Sequence, residues 1–310
     1  MSMNAKQFLP LAVLAGILVW SGAARADEAQ DLLTKMRGAV HSLSYAGTLV
    51  YAQGNNLSTY QINHTLENGA EKESVIRLTQ GGDGKTTESV ESFSLAKFQQ
   101  VQPQKEQVYT FDVGGKDWVA SRECTIVVAR PRDRMRYLQR YCIEPSSGML
   151  LKYSLTDRNH ETVEQLMFTL LDLNTTQPAA VSVAADVAVP ATTAAKAEPL
   201  AAATVPAGSK VSTEWTFSTL PAGFQQINAL DVASEGARPA VKQMVLSDGM
   251  SSVSVFIAPP DNADVLKSVE YSAGAMNIFT AQVEKHSVVL VGEVPVATLR
   301  AISDGLKYVR

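Results

Sequence analysis

The sequence predicts a two-domain α+β protein built mainly from antiparallel strands, and three observations predict it. One helical stripe, from Leu32 to Leu43, gives way to period-two alternation that reaches Leu173. A stretch from Asn174 to Lys210, rich in Ala, Val, Thr and Pro and free of aromatic residues, then breaks the pattern. Beyond it alternation resumes and ends in a second helical stripe near the C-terminus.

The N-terminal element is read as a targeting segment. MSMNAKQFLPLAVLAGILVWSGAARA carries Lys6, an apolar run from Phe8 to Trp20, and small residues ending in Ala24-Arg25-Ala26. That is the order of a secretory signal peptide, and a run of about 13 apolar residues falls short of the ~20 that span a bilayer. Residues 1–26 are expected to be cleaved after Ala26, which places the mature chain in the periplasm. Losing Lys6 and Arg25 leaves 25 basic against 31 acidic residues, a net charge of −6. Nucleic acid, which attracts an excess of Lys and Arg, is a poor partner for such a chain.

The first domain, residues 27–174, opens with EAQDLLTKMRGAVHSL, where Leu32, Leu33, Met36, Val40 and Leu43 recur at helical spacing. Asp27, Glu28 and Asp31 favour the start electrostatically. Strands follow: GTLVY, then TYQINHTL, in which Tyr60, Ile62 and Leu66 share a face. ENGAE and GGDGK read as turns, and Leu151, Tyr153 and Leu155 repeat the alternation. VEQLMFTLLDL is apolar on both faces and is expected to be a strand buried on both sides. One helix and about nine strands suit a single antiparallel sheet that curls around the helix as a half-open barrel.

Within this domain CTIVVARPRDRMRYLQRYC begins and ends with the chain's two cysteines. A hairpin turning at Pro131 to Arg134 sets Cys124 opposite Cys142, within the reach of a disulfide in an oxidising compartment. Two reduced, buried thiols are the alternative. The hairpin also concentrates arginine in an acidic protein. Arg130, Arg132, Arg134 and Arg136 are candidates for docking an acidic peptide or a lipid phosphate, against the plainer reading of a solvated tip paired with Glu123 and Asp133.

Residues 175–208 read as a linker, since prolines at 178, 190 and 199 and 206 discourage regular structure and little can be buried. The second domain, 209–310, starts with a strand carrying Trp215 and Phe217. KQMVLSDGMSSVSVFIA reads as a hairpin turning at Ser247-Asp248-Gly249, and AMNIFTAQVEKHSVVLVGEVP as two more strands. Val296, Leu299, Ile302, Leu306 and Val309 then lie on one helical stripe after Pro295.

Signs of catalysis are lacking. Gly84-Lys85-Thr86 ends a phosphate-loop pattern whose first glycine would stand where Thr79 does. The four histidines show no zinc-ligand spacing, and His64, in phase with Tyr60 and Ile62, suits a hydrogen-bonded core position. No catalytic residue, metal or cofactor is expected.

YAGTLVYAQGNNLSTYQINH, WVASRECTIVVARPRDRMRY, SGMLLKYSLTDRNHETVEQLMFT, WTFSTLPAGF, SDGMSSVSVFI and VVLVGEVP resemble, in that order, the blocks of the MucB/RseB family of periplasmic sigma-factor regulators. The resemblance implies an N-terminal domain similar to the lipoprotein carrier LolA, an unclosed β-barrel, and a smaller C-terminal domain. It implies binding to the periplasmic domain of a MucA/RseA-type anti-sigma factor, protection of that factor from site-1 proteolysis, and release on lipid or lipopolysaccharide signals. The competing reading is a periplasmic lipid or lipoprotein carrier. Lipid candidates are Leu49, Tyr51, Tyr60, Ile62, Leu78, Tyr153 and Leu155, with the inward face left open by parity. Partner candidates are Trp215, Phe217, Phe224 and Phe256, although a domain of this size also needs aromatics as core, the better reading for any one of them. Self-association into a homo-oligomer is left open.

Overall fold

The computed structural model describes residues 20–67, 70–78, 87–89, 95, 108–173, 214–232, 241–258 and 269–309. The predicted linker, and the predicted signal segment up to residue 19, lie outside the described residues. Among the described residues no helix is long and apolar enough to cross a membrane.

The period-two run becomes nine strands: β1 (Tyr45–Gln53), β2 (Asn56–Glu67), β3 (Ala70–Leu78), β4 (Thr87–Ser89), β5 (Tyr109–Val119), β6 (Arg122–Pro131), β7 (Leu138–Ile143), β8 (Leu150–Thr156) and β9 (Thr162–Leu173). They form one sheet in the order β4-β3-β2-β1-β9-β8-β7-β6-β5, with antiparallel neighbours throughout. Its edges, β4 and β5, do not pair with each other, so the barrel is unclosed. Yet β5 approaches β9 although three strands lie between them in the ladder, which requires the sheet to curl. Helix α1 (Trp20–Ser42) packs against β5, β6 and β7 on the inside of that curl. Its Leu32, Leu33, Met36 and Val40 meet Tyr45, Ile62, Tyr141 and Phe168 in one continuous core. Each such side chain contributes roughly 1.5–3 kcal/mol on burial.

The second domain holds a six-stranded antiparallel sheet in the order β11-β12-β13-β16-β15-β14. Its strands are β11 (Gln225–Val232), β12 (Val241–Ser247), β13 (Ser252–Ala258), β14 (Glu270–Ala273), β15 (Met276–Val283) and β16 (His286–Gly292). Helix α2 (Val296–Gly305) covers one face, where Leu299 and Ile302 pack with Met244, Val255, Phe279 and Leu290. A short ladder between β10 (Trp215–Phe217) and β17 (Leu306–Tyr308) closes the domain.

Three expectations are corrected. β9 is buried on one face: Leu166, Phe168 and Leu171 point inward, whereas Leu170 is 59% exposed, because α1 covers only the inside of the curled sheet. The terminal helix stops at Gly305, so Leu306 and Val309 leave its stripe. There the chain passes so close to Thr219 that a Cβ would lie 2.1 Å from its carbonyl oxygen, and the following residues are drawn into pairing with β10. The cysteine hairpin is out of the expected register by two residues, with Ile126 rather than Cys124 facing Cys142 and Thr125 facing Ile143. The disulfide Cys124–Cys142 therefore runs diagonally, across a Cα separation of 5.3 Å.

Candidate functional site

The shift in register follows from the loop between β6 and β7. Residues 132–137 leave the ladder, where the sequence suggested a turn at Pro131 to Arg134. Asp133 shapes this loop by accepting the Met135 amide at 2.9 Å and by pairing with Arg136. The loop stands at the same end of the curled sheet as the β1–β2 turn, the β8–β9 turn and the start of β5. All four meet the second domain.

Arg136 is the centre of this junction. It is 2% exposed, and its Nε donates to Asp248, its Nη1 to Asp133 and its Nη2 to the Ala222 carbonyl. Its guanidinium carbon sits 4.9 Å from the Phe224 ring centroid. Asp248, with no exposed surface, belongs to the turn between β12 and β13. One carboxylate oxygen accepts the Met250 and Ser251 amides at 2.9 and 2.7 Å; the other takes Arg136 and the Tyr109 hydroxyl, the latter at 3.2 Å. Burial alone would lower the Arg136 pKa, but bonding to Asp248 and its charge outweigh this and raise it. Burial, and then the Asp248 charge, push the Tyr109 hydroxyl well above its ordinary range. Every nitrogen of the guanidinium and both carboxylate oxygens of Asp248 therefore have a hydrogen-bond partner, the condition under which a buried pair is tolerated.

Other contacts extend the junction. Asn277 donates to Tyr137 Oη at 2.9 Å and to the Val294 carbonyl at 2.8 Å. The Thr298 hydroxyl, in the first turn of α2, donates to the Met135 carbonyl at 2.6 Å. Gly274, between β14 and β15, has φ +61° and lies against the β1–β2 turn, where a Cβ would meet the Val163 carbonyl oxygen at 2.7 Å and the Gly54 nitrogen at 2.8 Å. Next to it, Ala275 is fully buried in the core of the first domain, and Met250 packs against the same core. Two turns of the second domain thus close one end of the curled sheet.

Of the lipid candidates, Leu49, Tyr60, Ile62, Tyr153 and Leu155 are buried on the inner face, and Tyr51 packs against them half-buried. The register joins them, with Leu49 opposite both Tyr60 and Phe168, and Tyr51 and Tyr153 both opposite Leu166. Leu78 lies apart: Val75 and Arg77 share the inner side of β3, and Leu78 is 38% exposed on the other. Glu164 brings a carboxylate to this face, 1% exposed and interacting with the Tyr51 hydroxyl. His64 is buried, stacked on Tyr45 at 4.9 Å with Nδ1 2.8 Å from the Leu43 carbonyl oxygen.

Of the partner candidates, Trp215 and Phe224 are buried and Phe217 packs against the same core. Trp215 also makes an edge contact with His286 at 5.0 Å. Phe256 alone among the four points away from α2. It shares the outer sheet face with Val245, Ile278, Val289, Val291 and Tyr271, joined by the pairs Val245–Ser254, Ser254–Val291, Val291–Ile278, Ile278–Tyr271 and Phe256–Val289. None of these side chains is fully buried, and Tyr271 is 59% exposed. Where this face approaches the junction, Met250, Ser254, Met276 and Glu293 line a pocket of about 280 Å³. Arg130, Arg132 and Arg134 are exposed near the junction, whereas Arg136 is enclosed within it and offers no surface for docking a third molecule.

Asp248, Tyr109 and Asn277 were not singled out in the sequence. Asp248 reads there as an ordinary turn residue, and nothing local signals that its carboxylate receives an arginine from another domain. Among the described residues, no group of three or more His, Cys, Asp or Glu side chains could hold a metal ion.

Comparison with known proteins accords with this architecture. The family model for the MucB/RseB N-terminal domain matches residues 28–92 and 84–192, and that for the MucB/RseB C-terminal domain matches 209–307. The chain is 26% identical over 330 residues to the sigma-E factor regulatory protein RseB of Escherichia coli (strain K12), covering 96% of each. It is 25% identical over 316 residues to the sigma factor AlgU regulatory protein MucB of Pseudomonas aeruginosa, again covering 96% of each. The solved complex of Pseudomonas aeruginosa MucA/MucB matches in fold with a TM-score of 0.69 at 22% identity, over 91% of this chain and 99% of that one.

Proposed function

The chain belongs to the MucB/RseB family, and from that membership we propose that it is a regulator of an envelope-stress sigma factor. It binds the periplasmic domain of a membrane anti-sigma factor, shields it from site-1 proteolysis and releases it when lipid or lipopolysaccharide binds. The observation that carries this reading is the match of both family domains, in order, over most of the chain. Export with cleavage after Ala26 belongs to the same proposal.

The geometry supports a division of labour. The outer face of the second sheet, with Phe256 at its centre and Tyr271 at its edge, is an apolar surface suited to an extended or helical segment of the partner. The inner face of the first domain, with Leu49, Tyr60, Ile62 and Tyr153, suits acyl chains. Coupling the two is linkage: lipid must favour the form that holds the partner poorly.

The test is a pull-down of the mature chain against the periplasmic segment of the anti-sigma factor from the same genome, with and without lipopolysaccharide. Specific binding that the lipid weakens is expected, and Phe256→Glu should reduce binding at least about tenfold, as loss of a central aromatic anchor does. Absence of binding at tens of micromolar would refute the regulator and favour a lipid carrier.

A further inference from the structure

The lipid-sensing half of the proposed function meets an obstacle in the fold. The inner face of the curled sheet is filled by its own side chains and by α1, and the end where the loops meet the second domain is closed by Met250 and Ala275. These two residues sit on separate turns, Asp248–Ser251 and Gly274–Ala275. The strongest directional contact across that closure is the Arg136–Asp248 pair, which neither sheet needs for its own ladder.

We propose that this pair is a latch: it holds the two turns of the second domain as a stopper in the half-barrel, and an acyl chain enters the first domain only after the latch opens. The chemistry favours such a role. Arg136 gives one donor to Asp248 and another to Ala222, so a single guanidinium ties the turn before β13 to the loop before β11. The same Asp248 carboxylate organises its own turn through the Met250 and Ser251 amides, so separation from Arg136 frees Met250 as a unit with it. The groups left behind, a guanidinium, a carboxylate, a phenol and a backbone carbonyl, are ones that water satisfies once it enters. In the closed form they are screened from it, and the two states are discrete. Gly274 contributes the second point of closure because only a residue without a Cβ fits between Gln53, Gly54 and Val163.

The proposal rests on the lipid reading, and the experiment separates the two. In the mature two-domain chain without ligand, hydrogen exchange of Asp248→Asn is compared with the wild type. A latch predicts that protection falls together at residues 135–137, at 248–251 and at the remote turn 274–275. Loss confined to the first two segments overturns it. A fluorescent polyene fatty acid is then added by stopped flow. Association with Asp248→Asn should be roughly tenfold faster or more, since the fraction of open molecules scales the apparent rate and affinity. Equal association rates in the two proteins overturn the latch while leaving lipid binding intact, whereas binding to neither overturns the lipid reading and the gating claim with it. Should Asp248→Asn fail to fold, Arg136→Lys, which keeps the charge and gives up the fork, carries the same comparison.

Discussion

Replacing Arg136 by Met tests the junction most directly. The substitution keeps much of the apolar stem and removes the guanidinium, leaving Asp248 without its cation, without exposed surface, and bonded to Tyr109 and to the Met250 and Ser251 amides. Removing one partner of a buried pair costs about 3–5 kcal/mol. Loss of the cation over Phe224, worth about 2 kcal/mol when desolvated, overlaps with that figure and is not added to it. The total is bounded from above, because a junction that opens lets water reach Asp248. A loss of about 3 kcal/mol is therefore expected in urea unfolding followed by tryptophan fluorescence. The decisive comparison is a double-mutant cycle with Asp248→Asn, which retains an oxygen for the turn amides. Coupling of at least about 2 kcal/mol is expected, with the double variant little worse than the poorer single one. Effects that add to within about 0.5 kcal/mol would show two independent sites and refute the reasoning.

Further outcomes follow from other parts of the molecule. Cys124→Ser should lower stability by about 2–4 kcal/mol, measured as the wild-type urea midpoint against the variant and against the reduced wild type; agreement of all three midpoints would mean that the bond contributes nothing. Gly274→Ala forces a Cβ onto a left-handed backbone and against Val163 and Gly54, so a loss of about 2 kcal/mol or more is expected in the same assay, and a neutral result would contradict the close approach. Glu144 is held below its ordinary pKa: burial opposes this, but bonds from Ser147 and Arg122 outweigh it. A carboxylate with a depressed folded pKa stabilises above its unfolded value, near 4.5, and that contribution disappears as pH falls through the folded pKa. Glu144→Gln should cost about 1.5 kcal/mol at neutral pH and flatten the acid limb of stability against pH; an unchanged acid limb would exclude this role.

Much of the fold was legible because it depends on period. Alternation marked the strands of both domains, and helical spacing marked the inward face of α1, since side-chain direction is set locally. The readings that missed are those decided by distant chain. β9 looked apolar on both faces, yet only the curl of the sheet and the single helix inside it determine which side is covered. The stripe through Leu306 and Val309 fits a helix as well as α2 does, and pairing with β10 takes those residues away. The cysteine register was read from the shortest turn available. Met135 to Tyr137 are claimed by Thr298, Asp248 and Asn277, so the loop is longer and the ladder starts later.

The same loop shows what composition can and cannot say about a site. An arginine cluster in an acidic chain marks a place where anions are met, and Arg136 does meet one, from within the same chain. Which arginine turns inward depends on Asp133, which bends the loop, and on Asp248, which stands 112 residues away in sequence. Net charge and spacing carry no information on either. A buried ion pair adds little stability over apolar packing, but it fixes one geometry and gives it up when water enters. Apolar packing alone would hold the two domains together without such a choice. The junction instead joins Arg136, Asp248, Tyr109, Asn277, Tyr137 and Thr298 by hydrogen bonds and, among the described residues, inserts Met250 and Ala275 into the first core. The directional contacts across the junction are thus ones that water can replace. On the latch proposal, opening this junction costs less than unfolding either part, because most of each core lies within its own domain.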